Sequence, residues 1–120
     1  GGKYMYLKED ILQEINASAL FKAKLPDIVL FHRKKNWLYL IEAVVSHGPI
    51  DDKRYVELEI ALSNSTVDRI YVTAFPDQNK FRSNAADIAC DTEVWIADAP
   101  EHMVHFNGDK FLGPHNFKKG

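Results

Sequence analysis

Two β-prone runs set four residues apart constrain this chain more than any other feature. Asp27-Ile-Val-Leu-Phe-His32 and Trp37-Leu-Tyr-Leu-Ile-Glu-Ala-Val-Val45 are rich in β-branched and aromatic residues, and the polar tract Arg33-Lys34-Lys35-Asn36 divides them. That pattern predicts an antiparallel hairpin. Closing it with His32 opposite Trp37 and counting back along both strands sets Asp27 directly across from Glu42.

Such a pairing carries a cost. Side chains directly opposed on a sheet stand only about 5 Å apart, and two carboxylates at that distance repel unless a cation or a shared proton lies between them. Because side chains alternate along a strand, Glu42 shares its face with Leu38, Leu40 and Val44. An ionised carboxylate among apolar neighbours is strongly disfavoured unless paired. A bound divalent metal meets both demands. The alternative is an internal pair between Glu42 and Arg54 or Lys53, with Asp27 a strand-initiating residue after Pro26 held by backbone donors.

Around the hairpin, Lys3 to Leu7 reads as a short strand, Glu9 to Ile15 as a brief amphipathic helix, and Asn16 to Leu25 as a connection. Ser46-His47-Gly48-Pro49 ends the second hairpin strand. Asp51 then caps a helix to about Asn64, with Tyr55, Leu58 and Leu62 facing inward. Ile70 to Phe75 is a third strand, Phe81, Ala85, Ile88 and Ala89 outline another helix, and Glu93 to Ala97 is a further strand. A closing hairpin pairs Met103–Phe106 with Lys110–Leu112 around Asn107-Gly108-Asp109.

A length of 120 residues suits one domain with one core. No apolar run approaches the length of a membrane span, and Gly1-Gly2-Lys3 leads into Tyr4-Met5-Tyr6-Leu7 rather than a secretory signal. Cys90 is the single cysteine, so no internal disulfide forms; a reducing cytosol is expected, with Cys90 a small core residue. The formal net charge of −2 argues against a protein that binds nucleic acid through non-specific phosphate contacts. A nuclease is less constrained, since it can gather basic groups on one face and take positive charge from a metal. Ser46 and His47 do not make a nucleophilic pair, because adjacent residues on an extended strand point to opposite faces. His102 and His105 face opposite sides by the same reasoning, which excludes a histidine metal site. Trp37 and Trp95 are expected to pack in the sheet.

Pro26-Asp27 followed by Ile41-Glu42-Ala43-Val44 resembles the paired-carboxylate motif of the PD-(D/E)XK nuclease superfamily. The run from Trp37 to Ile50, then Lys53-Arg54, Tyr71-Val-Thr-Ala-Phe-Pro-Asp77, Glu93-Val-Trp-Ile-Ala-Asp98 and His105-Phe-Asn-Gly-Asp-Lys-Phe-Leu-Gly113, resembles the catalytic domain of the BsuBI/PstI restriction endonucleases. The likeness runs from Lys3 to Pro114. It implies an α/β fold, a restriction-endonuclease-like core whose central mixed β-sheet is flanked by helices and ends in a C-terminal β-hairpin. Residues 1–120 would be a single nuclease catalytic domain, a piece of a longer protein whose N-terminal helical region is absent here. The activity implied is that of a type II restriction endonuclease: Mg²⁺-dependent hydrolysis of double-stranded DNA that leaves 5′-phosphates, by a homodimer in a bacterial or archaeal cytoplasm.

The same resemblance assigns the metal to Asp27, Glu42 and the backbone carbonyl of Ala43, and expects a lysine two residues after Glu42, where this chain has Val44. Lys53 is the expected substitute, because the break at Gly48-Pro49 lets the next helix fold its first turn back toward the carboxylates. A compact ammonium there can orient water or steady charge on phosphate. Arg54, nearer the inward stripe of the helix, suits a phosphate clamp. Ser46 and His47 are expected near the same phosphate, and Glu57 is expected to pair with Lys53 one helical turn away. The basic tip Arg33-Lys34-Lys35 is a further candidate for backbone phosphate contact. Val44 also motivates a rival expectation, a non-catalytic DNA-binding or assembly module on a nuclease-like scaffold.

Overall fold

The hairpin closes in the register read from the sequence. In the computed structural model, which describes residues 4–6, 9–45 and 48–106, β2 (Ile28–His32) and β3 (Trp37–Ala43) are antiparallel, with His32 opposite Trp37 and Ile28 opposite Ile41. Asn36 makes the turn in the left-handed region at φ 59 and donates its N–H to the Arg33 carbonyl at 3.2 Å. Asparagine tolerates that conformation better than any residue but glycine.

Six strands of the described residues make one sheet in sequence order. β1 (Tyr4–Tyr6) lies antiparallel to β2, β3 to β5 run parallel through β4 (Asp68–Phe75) and β5 (Thr92–Ile96), and β6 (Met103–Phe106) returns antiparallel to β5. Parallel neighbours need crossovers. These are α2 (Asp52–Ala61) and α3 (Gln78–Asn84), the latter followed by a 3-10 turn (Ala85–Asp87), while α1 (Glu9–Glu14) and a 3-10 turn (Ser18–Phe21) join β1 to β2. Both crossover helices start at the predicted kind of residue: the Asp51 carboxylate accepts the Arg54 N–H, and the Asp77 carboxylate accepts that of Lys80, each at 2.8 Å. No helix among the described residues is long and apolar enough to cross a membrane.

Alternation along the strands divides the sheet into two unlike faces. Val29, Phe31, Leu38, Leu40 and Tyr71 pack under Leu12, Leu20, Leu58 and Leu62, and farther along Val44, Phe75, Val94 and Ile96 pack with Ile88 and Phe81. Those buried positions share one face with Glu42 and Thr73. The opposite face carries Tyr39, Ile41, Ile70, Val72, Ala74 and Trp95, which line an apolar trough of about 540 Å³. Trp95 is half-buried there and donates its indole N–H to the Pro100 carbonyl.

Two expectations change on inspection. Cys90 is exposed, not in the core. The turn into β5 carries Asp91 at φ 62, and buried Thr92 donates its hydroxyl to the Ala89 carbonyl at 2.8 Å. Ala89 and Thr92 thereby take the interior and Cys90 falls between them, outward. The stretch Asn16 to Leu25, read as a connection, contains the 3-10 turn that buries Leu20. The predicted strand Lys110–Leu112 and its Asn-Gly turn lie outside the described residues.

Candidate active site

The site forms where β3 outruns β2. The Val44 N–H donates to the Ala74 carbonyl at 2.9 Å, toward β4, so the Ala43 N–H and C=O point the other way, toward the start of β2. Continuing the observed register one step past Ile28–Ile41 sets Asp27 against Glu42, and a further step sets Pro26 against Ala43. The Asp27 carboxylate takes the Ala43 N–H, with Oδ2 at 2.8 Å, and Pro26 has no N–H to give the Ala43 carbonyl.

Glu42 is held from the other side by α2. The loop before that helix is pinned at fully buried Ile50, whose N–H donates to the Thr73 hydroxyl at 3.1 Å and whose carbonyl accepts from the Ala89 N–H at 2.9 Å. Thr73 is the neighbour of Glu42 on β4. With Asp51 capping the helix, Arg54 reaches back over the strand end: Nε donates to Glu42 Oε2 at 3.1 Å, Nη1 to Glu57 Oε1 at 2.8 Å and Nη2 to the Lys24 carbonyl at 2.5 Å. The arginine side chain is 11% exposed and that of Glu42 19%. Burial disfavours the guanidinium charge, but the hydrogen bonds and charges of Glu42 and Glu57 more than reverse this and hold its pKa above the ordinary value. Arg54 is therefore a permanently charged cation shared by two carboxylates.

Beside it opens a cleft of about 400 Å³, walled by Glu42, Pro49, Asp51, Lys53 and Glu57. Lys53 is exposed and makes no ion pair among the described residues, so it borders the cleft with its ammonium available. Glu57, expected on Lys53, pairs with Arg54 instead, because three-residue spacing on α2 sets those two on the same inner edge. Ser46 and His47 lie outside the described residues. The basic tip is at the other end of the hairpin from Glu42; there Arg33 pairs with Glu14, and the Lys35 ammonium stacks 4.5 Å from the centre of the Trp37 ring. His105 pairs with Glu93 across β5 and β6.

Among the described residues no group of three or more His, Cys, Asp or Glu is arranged to hold a metal. The donor set the chain offers is two carboxylates and one backbone oxygen, hard ligands suited to a hard divalent cation rather than to zinc. Arg54 thus meets Glu42, the alternative to the phosphate role expected for it, and the Lys24 carbonyl is a backbone group with no side-chain signature in the sequence.

The BsuBI/PstI restriction endonuclease domain model matches residues 1–109. The chain belongs to the BsuBI/PstI restriction endonuclease family. It is 44% identical over 115 residues to the type II restriction enzyme BsuBI of Bacillus subtilis, covering 96% of this chain and 36% of that protein. It is 37% identical over 87 residues to the type II restriction enzyme AplI of Arthrospira platensis, covering 72% of this chain and 27% of the relative. The solved structure of SdaI restriction endonuclease superposes with a TM-score of 0.80 at 30% identity, over 96% of this chain and 40% of that one. The BsuBI/PstI domain seen here thus spans well under half the length of these relatives, and its mixed sheet flanked by helices is the SdaI fold.

Proposed function

We propose that this chain is the catalytic domain of a type II restriction endonuclease that hydrolyses phosphodiester bonds in double-stranded DNA, requires Mg²⁺ and leaves 5′-phosphates. The observation that carries the reading is the Asp27 carboxylate bound to the Ala43 N–H, one residue along the strand from Glu42, which lines a cleft open to solvent. Asp27, Glu42 and the Ala43 carbonyl would hold the metal. When bound, a magnesium ion supplies a polarised phosphate and a water acidic enough to attack it. Lys53 on the cleft rim orients that water or steadies charge on the phosphate, a position the motif lysine would otherwise fill from residue 44. Arg54 lies one residue farther along the helix, within the same wall.

Cleaving both strands of a palindrome calls for two copies of the site, which makes the working form a homodimer in the cytoplasm of a bacterium or archaeon. The relatives carry additional chain, and base recognition is assigned to that part. The test is digestion of plasmid DNA by the full-length protein with Mg²⁺ or with EDTA. Discrete linear fragments bearing 5′-phosphates are expected only with the metal, and plasmid left intact under every divalent cation tried defeats the reading. One observation favours a second reading, a DNA-binding module without cleavage: Glu42 already has a cation, and Val44 occupies the lysine position. That reading requires DNA binding that is unaffected by Asp27→Asn.

A further inference from the structure

The cation that makes a carboxylate tolerable beneath α2 is supplied by the chain itself. Arg54 Nε sits on Glu42 Oε2, and the same guanidinium is tied to Glu57 and to the Lys24 carbonyl. A metal drawing on Glu42 would meet a neighbouring guanidinium on the same carboxylate, and two cations sharing one carboxylate repel. We propose that Arg54 is a displaceable counter-ion: it neutralises Glu42 while the site is empty of metal, competes with the divalent ion for that carboxylate, and gives it up on loading. The inference rests on the metal reading of Asp27, Glu42 and Ala43 given above.

Three features of the cluster fit a cation that yields. The Glu42 bond runs through Nε at 3.1 Å, longer than the contacts from Nη1 and Nη2 to Glu57 and Lys24 at 2.8 and 2.5 Å, so releasing Glu42 leaves two of the three anchors in place. One guanidinium against Glu42 and Glu57 leaves the group net negative, which still attracts a second cation. The cleft beside it gives the freed edge of the guanidinium space to turn toward solvent or a phosphate. Linkage then demands reciprocity: whatever factor Arg54 costs the metal, the metal costs the Arg54–Glu42 bond.

The experiment follows the side-chain Nε–H signals of arginine by NMR while the protein is titrated with Mg²⁺, and with Ca²⁺ as a second probe, alongside calorimetric titration of wild type and Arg54→Gln. The Arg54 signal is expected to shift and exchange faster in step with metal binding, while that of Arg69, in a second arginine–glutamate cluster under α2, stays still. Arg54→Gln should bind the ion on the order of tenfold more tightly. Metal bound with an unmoved Arg54 signal, or bound no more tightly by the variant, overturns the counter-ion proposal alone. Metal bound by neither protein overturns the metal site itself, and the proposal with it. Wild type that binds nothing while Arg54→Gln binds supports the competition in its strongest form. Since the substitution can loosen the helix, Arg54→Lys serves as the second variant: it keeps the charge but has no Nε to offer, and its affinity should fall between the other two.

Discussion

The sheet and α2 are joined by two arginine–glutamate clusters that are near mirror images. At one end of the helix Arg54 reaches down to Glu42 on β3; at the other, Arg69 on β4 reaches up to Glu59, with Nη1 at 3.4 Å from Oε1. Each guanidinium also donates to backbone carbonyls, Lys24 for the first, Ser65 and Val67 for the second. Their charge balance differs. Arg69 faces one carboxylate, whose other donor is the Tyr71 hydroxyl, and the Tyr55 ring, 5.0 Å from that of Tyr71 between centroids, packs alongside. Arg54 faces two, Glu42 and Glu57, and borders an open cleft. A neutral pair builds structure; an anionic one beside a cleft has work left for a further cation. The second carboxylate and the cleft decide which is which, since Glu57 and the cleft both lie against Arg54.

That contrast is broken most directly through cleavage. Asp27→Asn or Glu42→Gln in the full-length protein should lower plasmid cleavage by about a thousandfold, the scale of losing one pre-set charge interaction at a reacting phosphate. Glu59→Gln should leave cleavage by the folded enzyme within about twofold of wild type, because it serves the structural cluster. A comparable loss in Glu59→Gln would mean that the two clusters are not functionally distinct. On stability, Arg54→Met is expected to cost about 3 kcal/mol by chemical denaturation, since it leaves a largely buried carboxylate with its partner gone, and saturating Mg²⁺ should recover part of that cost. Arg69→Met should cost about 2 kcal/mol, because Glu59 is more exposed and keeps Tyr71, and Mg²⁺ should recover none of it.

The hairpin, its register and the two acidic residues were legible because period-two alternation and a four-residue turn fix strand pairing locally. Asp27 opposite Glu42 follows from counting alone, and the observed ladder keeps that register as far as Ile28–Ile41. The cap at Asp51 was equally local. What the pattern did not decide was which cation meets Glu42, Lys53 or Arg54, as both lie in the first turn of one helix and differ by a rotation of about 100°. That rotation is set by Ile50, bonded on one side to Thr73 and on the other to Ala89, residues distant in sequence. Cys90 was misread for a related reason: small apolar residues in a row give no periodicity, and a left-handed Asp91 turned the chain one position away from the expected phase.

The smallest effect sharpens the structural side of the comparison. Burial first, then the hydrogen bond and charge of Glu59, push the Tyr71 phenol well above the ordinary tyrosine value of 10.0. The folded protein therefore holds that proton more tightly than the unfolded chain does. Its contribution is complete below about pH 10, where the unfolded phenol is still protonated, and declines as the pH rises beyond that point. Tyr71→Phe should cost about 1.5 kcal/mol at pH 8, the scale of a hydrogen bond to a charged acceptor, and the gap to wild type should narrow above pH 10. Denaturation curves of both proteins at a series of pH values measure the gap directly. A gap that stayed constant to pH 11 would show that the unfolded chain shields this phenol equally. In that case Glu59 would be an ordinary ion partner of Arg69, and the Tyr71 hydroxyl would add nothing particular to the structural cluster.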